Sequence, residues 1–193
     1  DAKALVDGAT IQGHTSEDVN VTIQALEKII SASASGSAAV TLSGAKSAPK
    51  SNTVAGAIAY QISFNDSLAW IQNSSIDDAG EVKVQAVHAG ELTSVALALA
   101  ATKQDGTTLS SNTAVISVSG ATVRDGTSAR IDDTDITGAD GNSDSIDVSA
   151  YNSTDIGVGG GSLFAGGKQG YGLAITFADI GDPEDMAGYL NPD

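Results

Sequence analysis

Apolar and polar positions alternate through most of this chain, and the alternation returns in three related stretches. Residues 4–11 (ALVDGATI), 69–76 (AWIQNSSI) and 129–136 (ARIDDTDI) share the form A-x-[VI]-x-x-[AST]-x-I. Each is followed, after a polar gap, by [VI]-x-[VI]-x-A: Val21 to Ala25, Val82 to Ala86 and Ile146 to Ala150. A period of two marks half-buried strands. The anchoring alanines Ala4, Ala69 and Ala129 lie 65 and then 60 residues apart, and self-similarity on that scale predicts a repeat architecture.

The alternation breaks at one recurring place. Asp7-Gly8, Gln72-Asn73 and Asp132-Asp133 interrupt it in the three units, and Gly, Asn and Asp are the residues that tolerate left-handed or bulged backbone. Strand, bend, strand is the local expectation. The polar junctions that follow, residues 12–20, 77–81 and 137–145, differ in length as loops on a constant scaffold do. Residues 15–31 admit two readings. Val19, Ile23, Leu26 and Ile30 have helical spacing behind a Ser16 cap, whereas the overlay of residues 21–25 on the other two units favours a strand.

Further along, residues 38–42 read as a strand and residues 47–50, with Pro49, as a turn. Ser51-Asn52-Thr53 then precedes the apolar segment ending at residues 58–64, and Ser111-Asn112-Thr113 precedes residues 114–118. The third unit keeps the strand-like run at 171–177 without the marker. Small-residue segments at 92–102 and 156–165 correspond to 29–37. Gly157 to Gly161 and Gly166-Gly167 read as coil corners, since no phosphate-loop ending follows them.

Together these features predict an all-β chain. Residues 1–181 form a single β-solenoid with repeats at about 4–66, 67–126 and 127–181, divided into about nine coils of roughly 20 residues, or a rod on the order of 40 Å long. In that division Ile11, Ile76 and Ile136 face inward three coils apart. Residues 182–193 form a short helical or irregular tail, with Asp182 as cap and Pro183 at the first helical position. Three small β-sandwiches are the rival architecture.

Composition narrows the class. Hydrophobic residues make up 41% of the 193 residues but aromatics only 4%, so Ala, Val and Ile must fill a narrow core. Nine basic against 24 acidic residues give a net charge of −15, which disfavours nucleic acid and anionic membrane as partners. The chain has no cysteine, which removes thiol chemistry and suits a protein exported unfolded. No apolar run has the length of a membrane-spanning helix. The repeat begins at once, so the chain is expected to be a piece of a longer protein with neighbouring repeats.

The A-x-[VI] and [VI]-x-[VI]-x-A strands, the S-N-T marker and the Ala/Gly/Ser-rich filler resemble the repeat regions of large secreted bacterial surface proteins. These are the filamentous-haemagglutinin-type and leukotoxin-like filamentous adhesins. The resemblance covers nearly the whole chain. It implies a right-handed parallel β-helix, export by autotransporter or two-partner secretion, and a place on the cell surface as stalk or adhesive passenger. The partner it implies is a host glycan or protein. No residue-level role transfers.

Candidate chemistry is sparse. Asp140, Asn142 and Asp144 have the first three spacings of an EF-hand calcium loop, but Ser145 stands at the glycine position and Tyr151 at that of the bidentate glutamate. A solvated acidic loop is the favoured reading, with no catalytic residue and no cofactor beyond that calcium candidate. His14 and His88, the two histidines, read as surface or turn residues. Trp70 alternates outward with Leu5 and Arg130 as its counterparts, and an outward tryptophan is a candidate partner-binding residue. A carbohydrate-active β-helix, a lyase or tailspike-like glycosidase, is the alternative function. It needs paired carboxylates and sugar platforms in a groove, for which one Trp and four Tyr offer little material.

Overall fold

Three units that alternate in step can satisfy their backbone hydrogen bonds by lying on one another in register. The computed structural model, which describes residues 1–13, 18–43, 52–104, 112–138, 145–166 and 168–181, has this arrangement. The first unit supplies β1 (Ala2–Asp7), β2 (Thr10–Gln12), β3 (Val19–Ser43) and β4 (Asn52–Ser63). The second supplies β5 (Asp66–Gln72), β6 (Ser75–Asp77), β7 (Ala79–Gln104) and β8 (Asn112–Val123). The third supplies β9 (Gly126–Asp132), β10 (Asp135–Thr137), β11 (Ser145–Ala165) and β12 (Gln169–Ile180). Among the described residues there is no helix.

Every strand pairs in parallel with its counterpart one unit away, giving four three-stranded sheets with the second unit in the middle of each. The register is the one the repeat predicts. Ala4 lies opposite Ala69 and Ala69 opposite Ala129; Ile76 is flanked by Ile11 and Ile136; Val82 is flanked by Val21 and Ile146.

This pairing corrects the expected nine coils. Ile11, Ile76 and Ile136 are direct hydrogen-bonded neighbours, about 4.8 Å apart per step, so each unit is one layer and there are three. The reason lies in strand length. β3 runs for 25 residues and β7 for 26, each longer than a whole 20-residue coil. The same continuity decides the helix-or-strand question at residues 19–31 for a strand: Val21, Ile23 and Ala25 all point inward beside Val82, Val84 and Ala86.

The bends form where the turn residues recur. Gly8, Asn73 and Asp133 have φ of 62°, 48° and 43°. They also stack, with Gly8 N donating to Gln72 O at 3.2 Å and Asn73 N to Asp132 O at 3.2 Å. The small polar position that follows has a local task. Ser74 Oγ donates to Gln72 O at 2.6 Å and accepts from Ala9 N at 3.2 Å, and Thr134 Oγ1 donates to Asp132 O at 2.8 Å.

Two cores lie side by side. One is built from Ile and Val, with Ile71, Ile76, Val82 and Val84 fully enclosed between β5, β6 and the first half of β7. The other is almost all alanine: Ala55, Ala57 and Ala59 of β4 meet Ala96, Ala98 and Ala100 of β7. Its outer end carries a buried hydroxyl ladder in which Thr53 Oγ1 lies 2.6 Å from Thr41 Oγ1 and 3.1 Å from Thr102 Oγ1. The marker threonines Thr53 and Thr113 stand opposite each other, and Thr113 Oγ1 is 3.1 Å from Thr102 Oγ1.

The run Gly157 to Gly161 is not a corner but part of β11. A Cβ on Gly161 would stand 2.9 Å from Leu97 Cδ2, so the missing side chain leaves room for a leucine one layer below. Gly166, with φ of 80°, does form a bend. The turn at 47–50 and the tail 182–193 lie outside the described residues.

Candidate functional site

Trp70 stands on the outer face of β5, in a column between Leu5 and Arg130. The Arg130 guanidinium lies over the indole, 3.2 Å from the ring centroid, and its Nε is 3.4 Å from Asp132 Oδ2. Stacking on an indole suits a planar cation that is weakly hydrated. One ring face of Trp70 is therefore occupied by Arg130, and the indole Nε1 is enclosed without a hydrogen-bond partner. A ligand reaching Trp70 meets a half-buried ring with Arg130 over one face.

The most concentrated set of ionisable groups is elsewhere, at the seam between the two cores. Glu27 of β3 and His88 of β7 stand opposite each other in register, both on the inward phase of their strands. His88 is fully buried, which corrects its expected place at the surface. A histidine on an inward position of a long alternating strand has no route to solvent. Its Nδ1 is 3.4 Å from Glu27 Oε2 and its Nε2 is 3.0 Å from Asp125 Oδ2. The second contact is close enough for an ion pair but lacks hydrogen-bond alignment, since neither atom has an aligned partner.

The carboxylates are held from other directions. Asp125, whose side chain is wholly enclosed, accepts at Oδ1 from Ser63 Oγ at 2.7 Å and from Asn65 N at 3.0 Å. Ser67 Oγ donates to Glu27 Oε2 at 3.2 Å, and the α-amino group of Asp1 lies 3.0 Å from Glu27 Oε1. Burial pulls the Glu27 carboxyl upward, but the amino group, His88 and Ser67 together outweigh it and hold the group below the ordinary glutamate range. In the third layer the same position is Asn152, whose Nδ2 donates to Asp125 O at 3.0 Å.

This constellation has the residue types of a hydrolytic triad but not its geometry. A nucleophile must face the imidazole and a reacting atom must reach it. Here both imidazole nitrogens face carboxylates, Ser67 turns to Glu27 instead, and the ring is sealed. What the arrangement can do is give buried polar groups partners across layers. The sequence does carry a signal for it: Glu27 and His88 occupy one repeat position on an otherwise apolar phase, and a carboxylate opposite an imidazole at a shared register position points to a pair. Asp125, in the link between β8 and β9, gives no such signal.

A cleft of ≈ 370 Å³ opens beside this seam, lined by Ile29, Ser31, Ile62, Phe64 and Leu92 among others. The calcium candidates Asp140, Asn142 and Asp144, and also His14, lie outside the described residues. Among the described residues, no group of three or more His, Cys, Asp or Glu side chains could hold a metal ion. No protein-family model, curated protein or solved structure matches this chain.

Proposed function

We propose that this chain is a β-solenoid segment of a secreted or cell-surface bacterial protein, a stalk that presents loops for attachment. The observation that carries the reading is the in-register parallel stacking of 60-residue units. β1 to β4 and β9 to β12 each pair on one side only, and each leaves a row of backbone donors and acceptors on which a further unit of the same kind can continue the stack. The junctions between matched strands differ in length: residues 13–18 between β2 and β3, Asp78 alone between β6 and β7, and residues 138–144 between β10 and β11. A constant scaffold with junctions of variable length is suited to display.

The test is a binding screen of the 193-residue chain against a glycan array and host matrix proteins, with and without calcium. Specific binding lost in Trp70→Ala places an attachment site on β5, and binding lost without calcium and in Asp140→Asn assigns it to Asp140, Asn142 and Asp144. A blank under both conditions leaves the segment as spacer and removes the attachment role.

A further inference from the structure

The sheet of β4, β8 and β12 is built inside out. Its inward positions on β4 are Thr53, Ala55, Ala57, Ala59, Gln61 and Ser63, all buried. The larger apolar side chains, Val54, Ile58, Tyr60 and Ile62, point to solvent, with Ile58 72% exposed. In-register pairing keeps each phase on one face. Ile116 and Val118 of β8 therefore continue the outward row, and Tyr171, Leu173, Ile175 and Phe177 of β12 complete it. Phe177 leans over Gly120, where a Cβ would collide with the ring, and meets Tyr60 at 5.7 Å between centroids. The outward positions of this sheet carry one charged side chain, Asp179 at the far end, and it is paired with Arg124 at 2.8 Å.

We infer that this face is the contact between two copies of the chain, packed sheet on sheet about a two-fold axis. Two observations name a second copy as the occupant. The first is size. Strands of 12 residues at ~3.3 Å per residue, three abreast at ~4.8 Å, give a plan area of roughly 570 Å² per copy. The pair buries about 1,100 Å² or more, above the ~1,000 Å² that a specific interface needs and at the upper end of what a monomer leaves open. The second is charge. Two chains of net charge −15 repel over most of their surfaces, and a face whose one carboxylate is paired is where they can come within the ~10 Å of stacked sheets. A two-fold axis sets the same face against itself, so a face without net charge meets its like. The contact does not depend on the attachment role, and it leaves the strand edges free for neighbouring units.

Sedimentation velocity on the 193-residue chain from about 1 to about 100 µM tests it, a range that brackets the micromolar affinity of interfaces at the small end of the specific class. Wild type should run as a dimer. Ile116→Glu, on the middle strand with both edges paired, should weaken the dimer about 100-fold or more by burying two carboxylates in an apolar contact. Ile58→Lys provides a second variant should the first fail to show the wild-type circular dichroism. Leu99→Glu, on the opposite side of the slab, should leave the dimer intact. A monomer at every concentration overturns the inference. So does an assembly that survives Ile116→Glu and Ile58→Lys, which would be joined by strand edges, or one abolished by Leu99→Glu. Flotation of monomeric wild type with neutral phosphatidylcholine vesicles would assign the face to lipid and overturn it as well.

Discussion

His88→Leu removes the group that faces both the partly buried Glu27 carboxylate and the enclosed Asp125 carboxylate. Asp125 Oδ1 keeps its bonds from Ser63 and Asn65, but Oδ2 has His88 Nε2 at 3.0 Å as its ion-pair contact and loses it. Glu27 keeps Ser67 and the amino group, so the loss falls mainly on Asp125. Leaving a buried acceptor without its partner costs about 1–3 kcal/mol, and more for a charged group. Leucine returns part of that through apolar contact, so a net loss of about 2 kcal/mol is expected. Urea unfolding followed by Trp70 fluorescence and by far-UV circular dichroism measures it, both probes being needed in a stack whose layers can part separately. Adding Asp125→Asn to His88→Leu should recover about 1–2 kcal/mol relative to the sum of the single losses. The buried-partner reasoning fails if His88→Leu lies within about 0.5 kcal/mol of wild type, or if the two substitutions are additive.

Four further outcomes are expected. Ile76→Ala, in the middle layer with both neighbours in register and no exposed surface, should cost about 2–5 kcal/mol in the same urea assay. Gly8→Ala should cost about 1 kcal/mol by backbone strain, since φ is 62° and nothing stands near its Cβ position; Asn73→Gly at the next layer should be neutral or slightly stabilising. Glu27 has a depressed folded-state value, so its contribution is present at neutral pH and lost as pH falls through that value. Glu27→Gln should therefore be less stable than wild type at neutral pH, with the gap closing below about pH 4, under the ordinary glutamate value of ~4.3.

The sequence by itself determined which residues are equivalent and which phase of each strand they share. A period of two puts Ala4, Val6, Val21 and Ile23 on one side of the backbone, and the 60-residue repeat sets them against Ala69, Ile71, Val82 and Val84. It also located the bends, because Gly8, Asn73 and Asp133 stand where left-handed backbone was required.

Tertiary structure decided the rest. Periodicity fixes equivalence but not how often the chain turns between equivalent residues, so it could not separate one long layer per unit from three short coils. Nor does alternation say which phase faces inward when both are apolar. In β4 the alanines won, because they face Ala96, Ala98 and Ala100 of β7 across a gap that larger side chains would not enter, and Val54, Ile58 and Ile62 were left outside. His88 is buried for a related reason: its own strand neighbours say only that it points inward, and the carboxylates that make this tolerable come from residues 27 and 125. Contacts between residues about 30 to 60 positions apart carry that information, and those contacts exist only once the layers have stacked.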